Sequence, residues 1–103
     1  MKITIVSIFL IIVLYACGGG KEGPANYDVA AATKLFKKYC MVCHGMDGKL
    51  GLNGAKDLTV CPLGFDQRVT LIADGRGAMT PFKGILSESE IEQVAQYTLN
   101  LKK

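Results

Sequence analysis

Two cysteines and the only histidine of the chain fall within five residues, Cys40-Met41-Val42-Cys43-His44. Two thiols and an imidazole at that spacing either react or hold a group, and the rest of the chain must serve that purpose. The chain has 103 residues, enough for one domain. Without its apolar start, residues 17–103 remain. A body of that size has a thin core and commonly needs a disulfide, a metal or a cofactor. The formal charge is +3, the lysines are scattered, and there is no basic run. That balance argues against nucleic acid as a partner. A chain this short also leaves little room for a deep catalytic cleft.

Four readings of the cluster compete. Cys40, Cys43, His44 and Cys61 make a permissible Cys₃His zinc set, but His44 directly follows Cys43 and would crowd the same ion. A thioredoxin-like redox pair wants a βαβ setting, and no stretch alternates as a strand does. A Cys40–Cys43 disulfide would close a very tight ring. The fourth reading is favoured: C-x-x-C-H is the attachment pattern of haem c, one group per chain. Thiols about one helical turn apart each add S–H across one haem vinyl group, leaving two thioethers. The adjacent imidazole then lies under the iron as its proximal ligand. Covalent bonds keep the group in a body too small to enclose it.

Because His44 is the single histidine, a second axial ligand has to be another side chain. Met41 lies inside the motif and Met46 two residues beyond it, so neither easily reaches the far face. Met79 sits in Gly75-Arg76-Gly77-Ala78-Met79-Thr80-Pro81, a turn-rich stretch that presents a side chain free of helix geometry. A thioether there favours Fe(II) and raises the reduction potential. The same methionine would also serve as adaptable core filler. His44 and Met79 are therefore the expected iron ligands, and Cys40 and Cys43 the expected attachment points.

The start of the chain reads as an address. Lys2 precedes an apolar stretch over residues 3–16, short of the roughly 17–25 residues that span a bilayer. Leu14-Tyr15-Ala16-Cys17 resembles the bacterial lipobox. That resemblance implies a signal peptide over 1–16, cut before Cys17, whose thiol then carries lipid. Two or more acyl chains anchor firmly where one is marginal. Residues 17–27, with Gly18-Gly19-Gly20, read as the lipidated cysteine and a flexible tether, and 28–103 as the domain. An uncleaved short anchor is the alternative. Either way the domain is expected outside the cytoplasm, on the periplasmic side, held to a membrane.

From Asp28 the pattern is helical. Ala32, Leu35, Phe36 and Tyr39 share one face, and the helix runs into Cys40. Residues 45–64 carry five glycines and a proline and read as loop. Phe65 to Ala73 forms a second helix stopped by Gly75, with Val69 and Ile72 inward. Ser87 and Glu90 make a capping box for a last helix with Ile91, Val94, Ala95 and Leu99 on its buried side. The chain is expected to be all-α.

Beyond about residue 28 the sequence is similar to the class I c-type cytochromes. Phe36 and Ala32 match the family's aromatic and small crossing positions, with Val94 and Tyr97 as their partners. Gly77-Ala78-Met79-Thr80-Pro81-Phe82 resembles its G-x-M-P-x-F ligand loop, with Thr80 inserted. Leu86-Ser87 through Tyr97 resembles its closing helix. The resemblance implies three to four helices around one covalently bound haem, the first and last crossing near perpendicular. It also implies a backbone carbonyl on the His44 ring, expected from Leu52 or a neighbour. With both axial positions filled, the protein is expected to be no enzyme. It would carry single electrons between a redox donor and acceptor, such as a respiratory complex, an oxidase or a reductase. A haem-based redox or gas sensor, in which Met79 lets go, is the alternative. Leu50, Leu52, Leu63, Met46 and Phe82 are candidate pocket walls. Lys37, Lys38, Lys49 and Lys83 are candidate surroundings for the electron port. Arg68 or Arg76 is a candidate propionate partner. Cys61 is either a small buried filler or a thiol open to intermolecular pairing.

Overall fold

The computed structural model describes residues 23–103; the leader, the lipobox and Cys17 lie outside the described residues. Asp28 starts the first helix, its carboxylate accepting from the Ala31 amide at 3.1 Å. Helix α1 then spans Val29–Tyr39 and ends on Cys40, whose amide still donates to the Phe36 carbonyl. A single turn, α2 (Met41–His44), follows directly. It was not separately expected, and it carries the second cysteine and the histidine. The stretch 45–64 is loop apart from a 3₁₀ turn at Leu52–Gly54. Helix α3 (Phe65–Asp74) runs one residue past its expected end and stops at Gly75. Helix α4 (Glu88–Asn100) opens on the expected capping box, Ser87 and Glu90 each accepting from the other's amide. Among the described residues the fold is all-α, with only an isolated bridge between Arg76 and Met79.

The core lies where α1 and α4 meet. Ala32, Phe36, Val94 and Ala95 are fully buried. The Phe36 and Tyr97 rings sit 4.6 Å apart between centroids. Small Ala32 and Ala95 permit close approach, and the Phe36 ring supplies the apolar area that holds the helices together. Helix α3 also packs against α4.

The stretch read as a free tether is bound where the structure describes it. Gln93, buried on α4, donates to the Asn26 carbonyl at 2.7 Å and accepts from the Asp28 amide at 2.8 Å. Gly23 packs so closely on Gln96 that a Cβ there would collide with its side-chain oxygen. One amide side chain thus satisfies two backbone groups that a glycine-rich composition would leave to water.

The connection from α3 to α4 folds back on α3. Phe82 donates to the Ile72 carbonyl at 3.0 Å and Lys83 to Ala73 at 3.2 Å. Gly75 makes this possible, because its φ is +71° and a Cβ would stand 2.6 Å from the Met79 carbonyl. Met79 is therefore held by backbone geometry at both ends of its loop.

Candidate functional site

One cavity of about 840 Å³ opens in the described structure, within the size range of small-molecule and cofactor sites. Its lining is predominantly apolar. Cys40, Cys43 and His44 contribute from the α1–α2 junction, Met79 and Phe82 from the connection before α4, and Ile72 and Val94 from the helices behind. The structure thus brings all four expected site residues, Cys40, Cys43, His44 and Met79, to one cavity.

Local geometry explains how the motif serves it. The Cys40 amide continues α1, while the Cys43 and His44 amides both donate to the Cys40 carbonyl, at 3.3 and 3.0 Å. The turn therefore places two thiols and the ring on the same side of the chain. The His44 Nδ1 donates to the carbonyl oxygen of Lys56 at 3.1 Å. A carbonyl only accepts, so Nδ1 carries the proton and Nε2 keeps its lone pair for a metal. This corrects the expected partner, Leu52, by four residues. The reason is the loop path: Gly51, Asn53 and Gly54 all take positive φ, so Leu52 turns within the 3₁₀ segment and its carbonyl accepts from Ala55 instead. Burial pushes the Cys40 thiol up to about 12, with the neighbouring Cys43 adding to the effect. It is a neutral thiol in an apolar wall, unlike the exposed thiolates of redox pairs.

The other expectations divide. Leu52 and Leu63 line the cavity together with Phe82, but Met46 and Leu50 stand outside it and are exposed. Lys37, Lys38, Lys49 and Lys83 are exposed and none lines the cavity; Lys83 instead approaches Asp74 at 3.9 Å. Cys61 is half-buried in the cavity wall. Among the described residues, no three His, Cys, Asp or Glu side chains converge as a metal group, and Cys40, Cys43 and Cys61 are free thiols. The zinc and disulfide alternatives therefore find no geometry here. Of the two candidate arginines Arg76 is exposed, whereas Arg68 is buried in the wall. Its spacing from Phe65 and Ile72 is the signal that places it on the inner face of α3.

Residues 28–97 match the family described as Cytochrome C oxidase, cbb3-type, subunit III. The chain belongs to the small class I monohaem c-type cytochromes. This cytochrome is 38% identical over 79 residues to cytochrome c6 of Leptolyngbya boryana, covering 71% of this chain and 92% of that one. It is 33% identical over 105 residues to cytochrome c6 of Rippkaea orientalis, covering 96% and 93%. The solved structure of cytochrome c6 from the diatom Phaeodactylum tricornutum superposes with a TM-score of 0.62 at 31% identity, over 71% of this chain and 92% of that one. The cytochrome carries covalent haem c and transfers electrons. The residues present fit the group. Two thiols and a ring nitrogen with a fixed lone pair share a cavity with a thioether, inside an otherwise apolar lining.

Proposed function

We propose that this cytochrome is a membrane-tethered single-electron carrier between respiratory redox partners, in which Cys40 and Cys43 would be the thioether anchors of the haem and His44 and Met79 would hold its iron. Bound in the cavity, the haem iron supplies a one-electron Fe(III)/Fe(II) couple. The chain's own residues do the rest. Cys40 and Cys43 fix position, the Lys56 carbonyl holds the His44 ring in its ligating tautomer, and the Gly75 turn delivers Met79. Phe36, Ile72, Phe82 and Val94 keep the surroundings apolar and rigid, so a change of one charge rearranges little. With His44 and Met79 both holding the iron, the haem would serve electron transfer and not substrate binding.

The observation that carries this reading is the meeting of the C-x-x-C-H turn and Met79 in one cavity. The oxidised protein should show the weak far-red absorption band of methionine ligation. Met79→Ala should abolish the band and open the reduced iron to carbon monoxide. A Met79→Ala protein with an unchanged band, or one that still excludes carbon monoxide, overturns the assignment.

Tethering rests on the Leu14-Tyr15-Ala16-Cys17 sequence and the apolar leader before it. No helix among the described residues is long and apolar enough to cross a membrane. Lipid at Cys17 would hold the domain on the periplasmic side, within reach of a membrane-bound donor or acceptor. Cys17→Ser should release the cytochrome into the soluble fraction and remove fatty-acid label. Retention of both membrane association and label would refute the tether.

A further inference from the structure

The large cavity has a floor and a mouth. Its buried lining, which includes Phe36, Ile72, Val94 and Thr98, forms the floor. Its exposed lining, which includes Val42, Leu52, Val60, Ala78 and Thr80, forms the mouth. Helix α4 lines the cavity with Val94 and Thr98, both buried, so α4 lies under the floor. At about 3.6 residues per turn, Gln96 stands about 200° round the helix from each of them, on the side turned away from the cavity.

That outer side holds the start of the described chain. Gly23 packs on Gln96, where an added Cβ would collide with Oε1 and stand 3.1 Å from Cδ. Gln93, about one turn earlier, fixes the Asn26 carbonyl and the Asp28 amide. The chain therefore leaves the domain on the back of α4, opposite the mouth. Residues 18–22 separate Gly23 from Cys17. From Gly23 to Cys17 the backbone spans at most about 20–22 Å, at about 3.3–3.6 Å per residue. Bringing the mouth to a bilayer held at Cys17 would take that chain past α4, about 10–12 Å thick with its side chains, and then past a cavity roughly 9 Å deep for its volume. The straight path alone uses nearly the whole reach, and the path round the helix exceeds it.

We infer that lipid at Cys17 holds this cytochrome with the outer side of α4 toward the bilayer and the cavity mouth toward the aqueous phase, so that a redox partner meets the mouth from above the membrane. The inference rests on the tether reading above and adds a direction to it. Lys34 and Lys38 lie about 200° round α1 from Phe36, and Glu92 about 200° round α4 from Val94, so the membrane-facing side is of mixed sign. The reach of the tether, and not charge attraction, sets the orientation. The partner that fits has a docking surface standing clear of the lipid headgroups.

The test uses the haem-loaded, lipidated full chain in its reduced form, bound to phosphatidylcholine bicelles in which a few headgroups carry a gadolinium chelate. Broadening of amide NMR signals by that ion falls with the sixth power of distance, so it maps the side that faces lipid. Amides of residues 23–28 and of Gln96 and Asn100 should broaden more than those of Leu52, Val60 and Ala78 by an order of magnitude, with or without added salt. Equal broadening of the two sets, or stronger broadening at the mouth, overturns the inference. A second copy of residues 18–22 inserted after Glu22 leaves the domain untouched and nearly doubles the reach, and Gln93→Ala frees residues 23–28 from α4. Each should level the two sets. Should Gln93→Ala fail to fold, the insertion still decides: an orientation that survives the longer tether is not set by reach, which overturns the inference as well. A protein with no fatty-acid label and no broadening anywhere refutes the tether reading itself, whereas a labelled protein with evenly spread broadening refutes only the orientation.

Discussion

Gly75→Ala is a sharp perturbation because it strikes the loop that presents Met79 while leaving every apolar contact intact. Gly75 has φ +71° and ψ 170°, an essentially glycine-only region that costs another residue about 1–3 kcal/mol. The added Cβ would also lie 2.6 Å from the Met79 carbonyl oxygen, 2.8 Å from the Pro81 nitrogen and 3.1 Å from its Cα. These are backbone atoms that no rotamer change relieves, and forced overpacking of this kind costs about 1–3 kcal/mol more. Gly51 is the control. It lies in the left-handed region (φ +69°, ψ 20°), and the nearest atom to its Cβ position is 3.8 Å away, so Gly51→Ala carries only that region's cost of about 1–2 kcal/mol. Urea unfolding of the two haem-loaded variants should therefore differ by about 1–3 kcal/mol, with Gly75→Ala the weaker. Only Gly75→Ala should dim the far-red band, since the clash moves the chain around Met79. Equal stability of the two variants with an intact band in both would refute the claim that Gly75 sets the ligand loop.

Three further outcomes follow from the packing. Phe36→Ala empties the fully buried contact between α1 and α4 and should cost about 3–5 kcal/mol by chemical denaturation, among the larger single losses in the molecule. Gln93→Ala strips two backbone groups of their partner and should cost about 1–3 kcal/mol. Limited proteolysis should then cut within residues 23–28 faster than in the unaltered protein. The Asp57 carboxyl is held below its usual range chiefly by the hydroxyl and amide of Thr59. Because its folded value is depressed, the stabilisation it lends is present above its unfolded value and is lost as pH falls through the folded one. NMR titration should show Asp57 ionising at lower pH than an ordinary aspartate, and Thr59→Ala should move it back up.

Side-chain patterns made most of this molecule legible in its sequence. Apolar periodicity reports the buried faces of Ala32 and Phe36 and of Val94, while their meeting, with Tyr97, follows from the resemblance to the class I c-type cytochromes. Ser87 with Glu90 announces the start of α4 because the capping box is a local hydrogen-bond device. Cys40, Cys43 and His44 announce their chemistry through spacing alone. What stayed hidden depends on where backbone groups point. The carbonyl on His44 comes from Lys56 because three positive-φ residues route the loop, and no side chain records that path. Gln93 hides in a helix whose apolar face draws attention to Ile91 and Val94. It works through its two ends, each on a main-chain atom far away in sequence. Met46 and Leu50 face solvent and not the cavity, because a hydrophobic residue in a glycine-rich loop has no periodicity to fix its direction.

The central claim is that Cys40 and Cys43 each hold the haem by a bond to carbon. Intact mass of the purified protein, made alongside a competent haem-attachment system and then extracted with acidified acetone, tests it directly. The account predicts one haem per chain that stays on the polypeptide through extraction, with loss of that mass in a Cys40→Ala, Cys43→Ala double variant. A haem that washes out of the unaltered protein, or one that stays attached after both thiols are removed, would contradict it.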